Sequence, residues 1–335
     1  MSNLNISRRQ FLSCSAAGLL AASLPRSTAS ATSTHPWETR LPLSSSSLRV
    51  LQFTDIHFFN GITKMPKEEQ RRRDKTVNDM RRLVDHARPD LLVVTGDLWH
   101  ENPDGRGAEF QAFALEQCAA LGVPWIFTWG NHDTLDDYDA GHATLAGAKG
   151  SLYGGRPNNG NYVLTVEDKD GNARAQFFCL NSRKEGLNDD TRRFVSTASE
   201  ALDAAGPRPM RVAACHIPVK QYQDVWEQEI ASGIIGETVC FEQEDGSSLS
   251  VLGKAGIQAL FCGHDHTNDY TGVLDSVNLI YGRATGHAGY GGAEVPKGGK
   301  LYTLDPDRKQ LEWTSLLPDG TTWKPKPGER IDKRN

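Results

Sequence analysis

The sequence predicts an α/β fold built on a mostly parallel sheet covered by helices. Three observations lead there. Between residues 48 and 129, strand-like and helix-like segments alternate as β-α-β-α-β, the rhythm of parallel sheets with helical crossovers. The second of those strands holds the unbroken apolar run Leu91-Leu92-Val93-Val94, which suits a strand buried on both faces. Five apolar runs are each followed at once by His, Asp or Asn, and open α/β sheets bind ligands beyond the carboxyl ends of their strands.

Taken in order, residues 1–31 read as a targeting segment. Arg8-Arg9 precede an uncharged Ala/Leu-rich run at 11–24, Pro25 ends it, and Ala29-Ser30-Ala31 offers a small-residue cleavage site. The run is too short to span a bilayer and has no amphipathic period. The paired arginines point to the Tat route, with the Tat translocase as partner during export, a periplasmic or secreted destination and no stable membrane anchor. A Ser/Thr/Pro-rich stretch at 32–47 reads as a flexible linker. A globular domain is expected over 48–317. Its first strand is 48–53, followed by a helix over 67–87 with Val77, Met80, Val84 and Ala87 on one face. A strand at 90–95, a helix at 108–121 and a strand at 124–129 complete the first half. The second half reads as more antiparallel, with strands at 161–166, 175–180, 210–215, 257–262, 277–281, 300–304 and 310–315. Residues 219–250 show no period and read as an insertion, and 318–335 as a tail.

Composition narrows the function. The 335 residues carry a net charge of −5. Loss of residues 1–31 would remove Arg8, Arg9 and Arg26 and no acidic residue, taking the charge to −8. Such a chain lacks the basic surface that sequence-independent nucleic-acid binding needs. Small anionic substrates remain open, because bound metal ions reverse the local sign. Cys118, Cys179, Cys215, Cys240 and Cys262 would remain, an odd number without a CxxC pair, which argues against a disulfide framework.

The chemistry lies at the strand ends. Asp55-Ile56-His57, Gly96-Asp97, Gly130-Asn131-His132-Asp133, Cys215-His216 and Gly263-His264-Asp265-His266 each follow an apolar run. These side chains suit a dinuclear metal site. Imidazole binds zinc, iron or manganese, carboxylate favours the harder ions, and one carboxylate can bridge two cations. Gly96, Gly130 and Gly263 are expected to let the backbone turn sharply there. Any one cluster could be a polar turn. Together they predict a dinuclear metal site drawn from these clusters.

In this order the motifs resemble the signature of the calcineurin-like metallophosphoesterases, over roughly residues 48–300. Cys215-His216-Ile217-Pro218, the stretch from Phe261 to Asp269, and Tyr281-Gly282-Arg283-Ala284-Thr285-Gly286 resemble the plant purple-acid-phosphatase-like proteins and related fungal cell-cycle-regulator phosphatases. The resemblance implies two packed mixed β-sheets flanked by α-helices, a four-layer sandwich. It implies that Asp55, His57 and His266 hold one metal, that Asn131, His216 and His264 hold a second, and that Asp97 bridges them. True purple acid phosphatases add a tyrosine ligand; after Asp55 this chain offers His57, Phe58 and Phe59, so an obligatory ferric ion is not expected.

The expected activity is hydrolysis of phosphate esters, mono- or diester, by a hydroxide bridging two Fe, Mn or Zn ions that clamp the attacking and leaving oxygens. His132 would be the general acid, with its tautomer set by Asp133 or a backbone carbonyl. Asn131, Arg183 and His287 are the expected substrate contacts, with Tyr290 near by in the same Gly-rich loop as His287. His100, Trp99 and Trp129 are candidates to line the cleft. The alternatives are a pyrophosphatase or phosphodiesterase on nucleotide- or lipid-linked phosphates, and a non-catalytic metal- or phosphate-binding protein, which would be expected to have lost Asp97 or His132.

Overall fold

The computed structural model describes residues 35–334; the expected export segment lies outside them. Two mixed sheets pack face to face. The smaller is formed by β2 (Leu48–Phe53), β3 (Leu91–Thr95), β4 (Trp125–Thr128), β12 (Gly299–Asp305), β13 (Gln310–Leu316) and β14 (Thr322–Trp323), in the order β14-β13-β12-β2-β3-β4. The larger contains β1 (Glu38–Pro42), β5 (Tyr162–Glu167), β6 (Ala173–Cys179), β7 (Met210–Ala214), β8 (Ser232–Ile235), β9 (Ile257–Cys262), β10 (Asp269–Leu274), β11 (Val277–Tyr281) and β15 (Arg330–Asp332), in the order β1-β5-β6-β7-β9-β11-β10-β8-β15.

Side-chain alternation explains the layers. Successive residues of a strand point to opposite faces. Phe177, Val212, Ala214, Ala259 and Phe261 of the larger sheet face the smaller one and join its core, where the Phe261 ring stacks on Tyr302 at 4.0 Å. Phe178, Ala213, Cys215, Leu260 and Cys262 face the other way. That outer face is covered by α4 (Asp189–Ala205), α5 (Gln221–Glu227) and α6 (Ser248–Lys254). The outer face of the smaller sheet is covered by α1 (Pro66–Ala87) and α2 (Gly107–Ala120) through Met80, Leu83, Phe110, Leu115 and Cys118. A short α3 (Tyr138–Gly147) packs on α2. This is the helix–sheet–sheet–helix order the sequence resemblance implied.

Several expectations need correction. The stretch at 32–47 is not all linker: β1 pairs in parallel with β5, Glu38 opposite Val163. Its partner lies over a hundred residues away, so no local period reveals it. The second half is less antiparallel than its sequence suggests, since β6, β7, β9 and β11 run parallel. The crossover after β6 is α4, capped by Asn188, whose side chain accepts from Thr191 N–H. The 219–250 stretch supplies α5 and β8, and the tail supplies β14 and β15, which pair with β13 and β8. Among the described residues, no helix is long and apolar enough to cross a membrane, and Cys118, Cys179, Cys215, Cys240 and Cys262 are all free thiols.

Candidate metal centre

β2, β3 and β4 run parallel in one sheet, and β6, β7 and β9 in the other. Their carboxyl ends meet along one edge of the sandwich. The loops there are stitched together: His57 N–H donates to Asp97 O at 2.8 Å, Gly263 N–H to His216 O at 2.9 Å, and His264 N–H to Asp55 Oδ2 at 3.1 Å. Sharp turning falls largely on the polar residues themselves. Asp55, His57, Asp97 and His264 all have left-handed backbones, with φ of 54°, 53°, 52° and 77°. Non-glycine residues adopt that conformation at a cost of about 1–3 kcal/mol each, and such strain clusters at functional sites. Of the three glycines expected to supply the turns, only Gly96 does (φ 78°). Gly130 and Gly263 are needed for space instead, because a Cβ would run into Asp97 and into Thr54.

All seven expected cage residues come together. Asp55, His57 and His266 form one group of converging donors, and Asp97, His216 and His264 a second. Asn131 Oδ1 lies 2.9 Å from His216 Nε2, on the second group. Asp97 Oδ2 stands between the two, 3.5 Å from His57 Nε2 and 3.3 Å from His216 Nε2. His266 Nε2 is 3.3 Å from Asp55 Oδ1. Donors 2.0–2.1 Å from a shared cation stand about 3.3 Å apart in tetrahedral geometry, so these spacings fit metal coordination. Asp55 Oδ1 is buried with no hydrogen-bond partner, a cost that a cation would remove.

Contacts on the far side of each ring fix which nitrogen faces the cage. His216 Nδ1–H donates to Thr95 O at 2.8 Å, and His266 Nδ1–H to Tyr290 O at 3.2 Å. His57 Nδ1 lies 3.1 Å from His100 Nδ1; with the proton on His57, its Nε2 lone pair is free. That lone pair then faces His266 Nε2 at 3.1 Å, where two acceptors repel unless a proton or a cation lies between them. His264 is reversed, with Nδ1 inward at 3.2 Å from His216 Nε2 and Nε2 outward at 3.7 Å from Glu242.

Without metal, the cage is a charge-coupled cluster. Burial opposes ionisation of Asp97, but His216 and His57 outweigh it and hold the carboxyl well below its ordinary range. Burial also opposes a charge on His216, yet Asp97 raises it to about 10. Burial and the His216 charge push His264 down to about 4. Burial likewise lowers His57. Metal ions would take over the role of the proton held between His216 and Asp97.

His132 lies at the rim of the cage. Its N–H donates to Asp97 Oδ1 at 2.9 Å, its ring stacks on His100 at 4.5 Å, and its Nδ1 is 2.7 Å from Glu101 Oε1. Contrary to the expectation drawn from its place in the chain, Asp133 does not set the tautomer: His132 Nδ1 faces Glu101. The Asp133 carboxylate points the opposite way and accepts the N–H groups of Asp97, Leu98, Trp99 and Gly130 at 2.7–3.1 Å. Glu101, which motif reading missed, is the partner of His132. A loop from the 219–250 stretch also closes over the cage. Glu237, Cys240 and Glu242 line the cage cavity of about 360 Å³, beside Tyr290. Asp265 pins this loop by accepting Cys240 N–H, and Asn268 does so through the N–H groups of Gly236 and Glu237. Tyr290 stacks on His266 at 3.9 Å.

The other expected residues separate. Arg183 lines a neighbouring cleft that also contains Asn131. His287 does not line the cage cavity: its Nε2 is bound to Asp79 of α1 at 2.7 Å and its N–H to Thr76. It is a loop anchor and not a substrate contact. His100 lines the cavity, whereas Trp99 and Trp129 are fully buried and pack edge to face.

The fold is a two-sheet sandwich with two groups of potential metal-ligand side chains on one edge. The family model of the calcineurin-like phosphoesterases matches residues 48–268, and this chain belongs to that family. Its relatives include "Probable inactive purple acid phosphatase 28" of Arabidopsis thaliana, 24% identical over 88% of this chain and 84% of that one. "Phosphatase DCR2" of Saccharomyces cerevisiae is 24% identical over 66% of this chain and 44% of that one. A dimetal phosphatase from Danio rerio shares the fold at a TM-score of 0.50 and 12% identity, over 76% of this chain and 91% of that one.

Proposed function

We propose that this chain is a dinuclear metal-dependent phosphoesterase that hydrolyses small phosphate esters. The observation that carries the reading is the position of Asp97 Oδ2, within 3.5 Å of a donor in each ligand group. Asp55, His57 and His266 would hold one cation, Asn131, His216 and His264 the other, and Asp97 both. Bound there, Fe, Mn or Zn ions supply Lewis-acid activation of water and neutralise phosphoryl charge. The protein's own groups do the rest. Asn131 offers an amide to a phosphoryl oxygen at the cage edge. His132 donates a proton to the leaving oxygen, and Glu101, 2.7 Å from its Nδ1, orients the ring. Asp133 holds the Asp97 loop in its strained shape.

Some relatives carry "inactive" in their names. A non-catalytic role predicts loss of the bridge or the acid, and this chain keeps Asp97 beside His216 and His264 and His132 beside Glu101. The test is metal-stripped protein reloaded with Fe, Mn or Zn and offered monoester and diester substrates. Turnover with at least one metal is expected. Tight binding of two ions per chain with no turnover on any substrate would sink the reading.

We also propose export through the Tat route, on the strength of Arg8-Arg9 and the uncharged run that follows. Changing both arginines to lysine should retain the protein in the cytoplasm. Unchanged export would refute it.

A further inference from the structure

We propose that the cleft beside the cage is the leaving-group subsite, and that it selects phosphate esters whose alcohol carries a second anionic group bound by Arg183 and Lys184. The inference rests on the phosphoesterase reading and names its substrate class. The cleft is a cavity of about 480 Å³ that includes Gly130 and Asn131, so it opens directly onto the second ligand group. His132 lines the cage cavity, and its partner Glu101 lines a further cleft that shares Lys184 with this one; a leaving group that takes a proton from His132 can extend that way.

The position of Arg183 is built, not accidental. β6 runs parallel to β7, so Asn181-Ser182-Arg183 follow one more strand end on the same edge. Ser182 is buried, and its Oγ accepts the N–H groups of His216 and Ile217 at 3.2 and 2.9 Å. Arg183 is therefore joined to the residue that fixes a cage ligand. Its N–H is held by Asn181 Oδ1 at 3.1 Å, its backbone is left-handed (φ 33°), and its guanidinium carbon lies over the Tyr138 ring, 3.7 Å from the centroid. Stacking uses the guanidinium face and leaves the N–H edge free. Among the described residues, no carboxylate pairs with it. Lys184 borders both this cleft and the adjoining one that contains Glu101. Two carboxylates share the lining. Asp190 is paired with Arg193 at 2.9 Å, which leaves Glu185 against two cations. A planar, half-buried fork with free N–H groups fits a phosphate or a carboxylate.

The test compares substrates that differ only in the second anion. Glycerol 3-phosphate against 3-phosphoglycerate exchanges a hydroxymethyl for a carboxylate; glucose 6-phosphate against glucose 1,6-bisphosphate adds a phosphate. The metal-loaded enzyme should favour the doubly anionic member of at least one pair by about tenfold or more in kcat/KM, chiefly through KM, as expected for charge-assisted hydrogen bonds. Which pair responds tells carboxylate from phosphate. Arg183→Ala should collapse that ratio toward one, Arg183→Lys should keep part of it, and Tyr138→Leu should lower it with the charge intact. A wild-type ratio near one in both pairs, or a ratio untouched by Arg183→Ala, overturns the assignment. Calorimetric binding of the same pairs reads the ratio without turnover. Absent turnover with a preserved binding ratio would sink the hydrolytic reading and leave the subsite standing.

Discussion

Glu101 Oε1 sits 2.7 Å from His132 Nδ1, and the backbone closes the pair from the other side, with Glu101 N–H donating to His132 O at 2.8 Å. Glu101 itself is left-handed, with φ of 62°. A carboxylate held against one imidazole nitrogen fixes the ring's orientation and aims the other nitrogen outward. His132→Ala should therefore cut turnover by roughly 10²–10⁴ on esters with poor leaving groups and far less on nitrophenyl esters, with metal content unchanged. Glu101→Gln should move the same way by a smaller factor. Equal losses on good and poor leaving groups would remove His132 from the proton-donor role.

Asp133 gives a prediction of a different kind. Its carboxylate accepts four buried N–H groups on the turn that presents Asp97. Asp133→Ala would leave those donors unpaired and cost about 3–5 kcal/mol. Burial raises its pKa to about 7, against the pull of the N–H donors. The expected result is a lower Tm together with lost metal occupancy. A variant that folds and binds metal normally but turns over slowly would instead place Asp133 in catalysis.

These two residues show where sequence reading reaches its limit. The cage was legible because its members share one signal, a metal-binding side chain directly after an apolar strand. Fold class followed from the same strands. Glu101 carries no such signal, since it sits four residues past Asp97 in a loop. Asp133 was misread because adjacency to His132 suggested contact, whereas neighbouring side chains commonly diverge. His287 was misread for a similar reason: its Gly-rich loop touches the cage through Tyr290, but its own ring turns to Asp79. β1, β8 and β15 depend on partners remote in the chain, and no local period announces them.

Metal loading should release protons. In the metal-free cage His216 is charged at neutral pH, because burial is outweighed by Asp97 and its pKa rises to about 10. A cation must displace that proton, so affinity should rise about tenfold per pH unit, up to about pH 10, for each proton displaced. The same shift has a stability consequence. A raised folded-state pKa stabilises the metal-free protein fully below the unfolded value of 6.5, and that contribution is lost as pH rises through about 10. The Tm of metal-free protein should fall over that window, and that of loaded protein should not. Calorimetry in buffers of different ionisation enthalpy counts the protons; a count of zero at pH 7 would contradict the charge assignment.

The Asp269 cluster, behind the cage, should govern acid stability. Asp269 is fully buried and binds Lys300, Arg283 and Ser315, with Arg283 Nε at 2.7 Å and Ser315 Oγ at 2.8 Å. Arg283 belongs to the loop whose Thr285 N–H donates to Thr54 O, next to Asp55, at 2.8 Å. The cluster thus ties β10, β12 and β13 to the strand end that bears the first ligand. Burial opposes the charge on Asp269, and Lys300 and Arg283 overcome it and hold the pKa down. Asp269→Asn leaves two buried cations short of a counter-charge, which should cost about 3–5 kcal/mol at neutral pH. A depressed carboxyl contributes stability above its unfolded value of 3.8 and loses it as pH falls further. The gap between wild type and Asp269→Asn in denaturant unfolding should therefore be constant above about pH 5 and close below 3.8. A gap that stayed open in acid would mean that the loss is one of packing and not of charge.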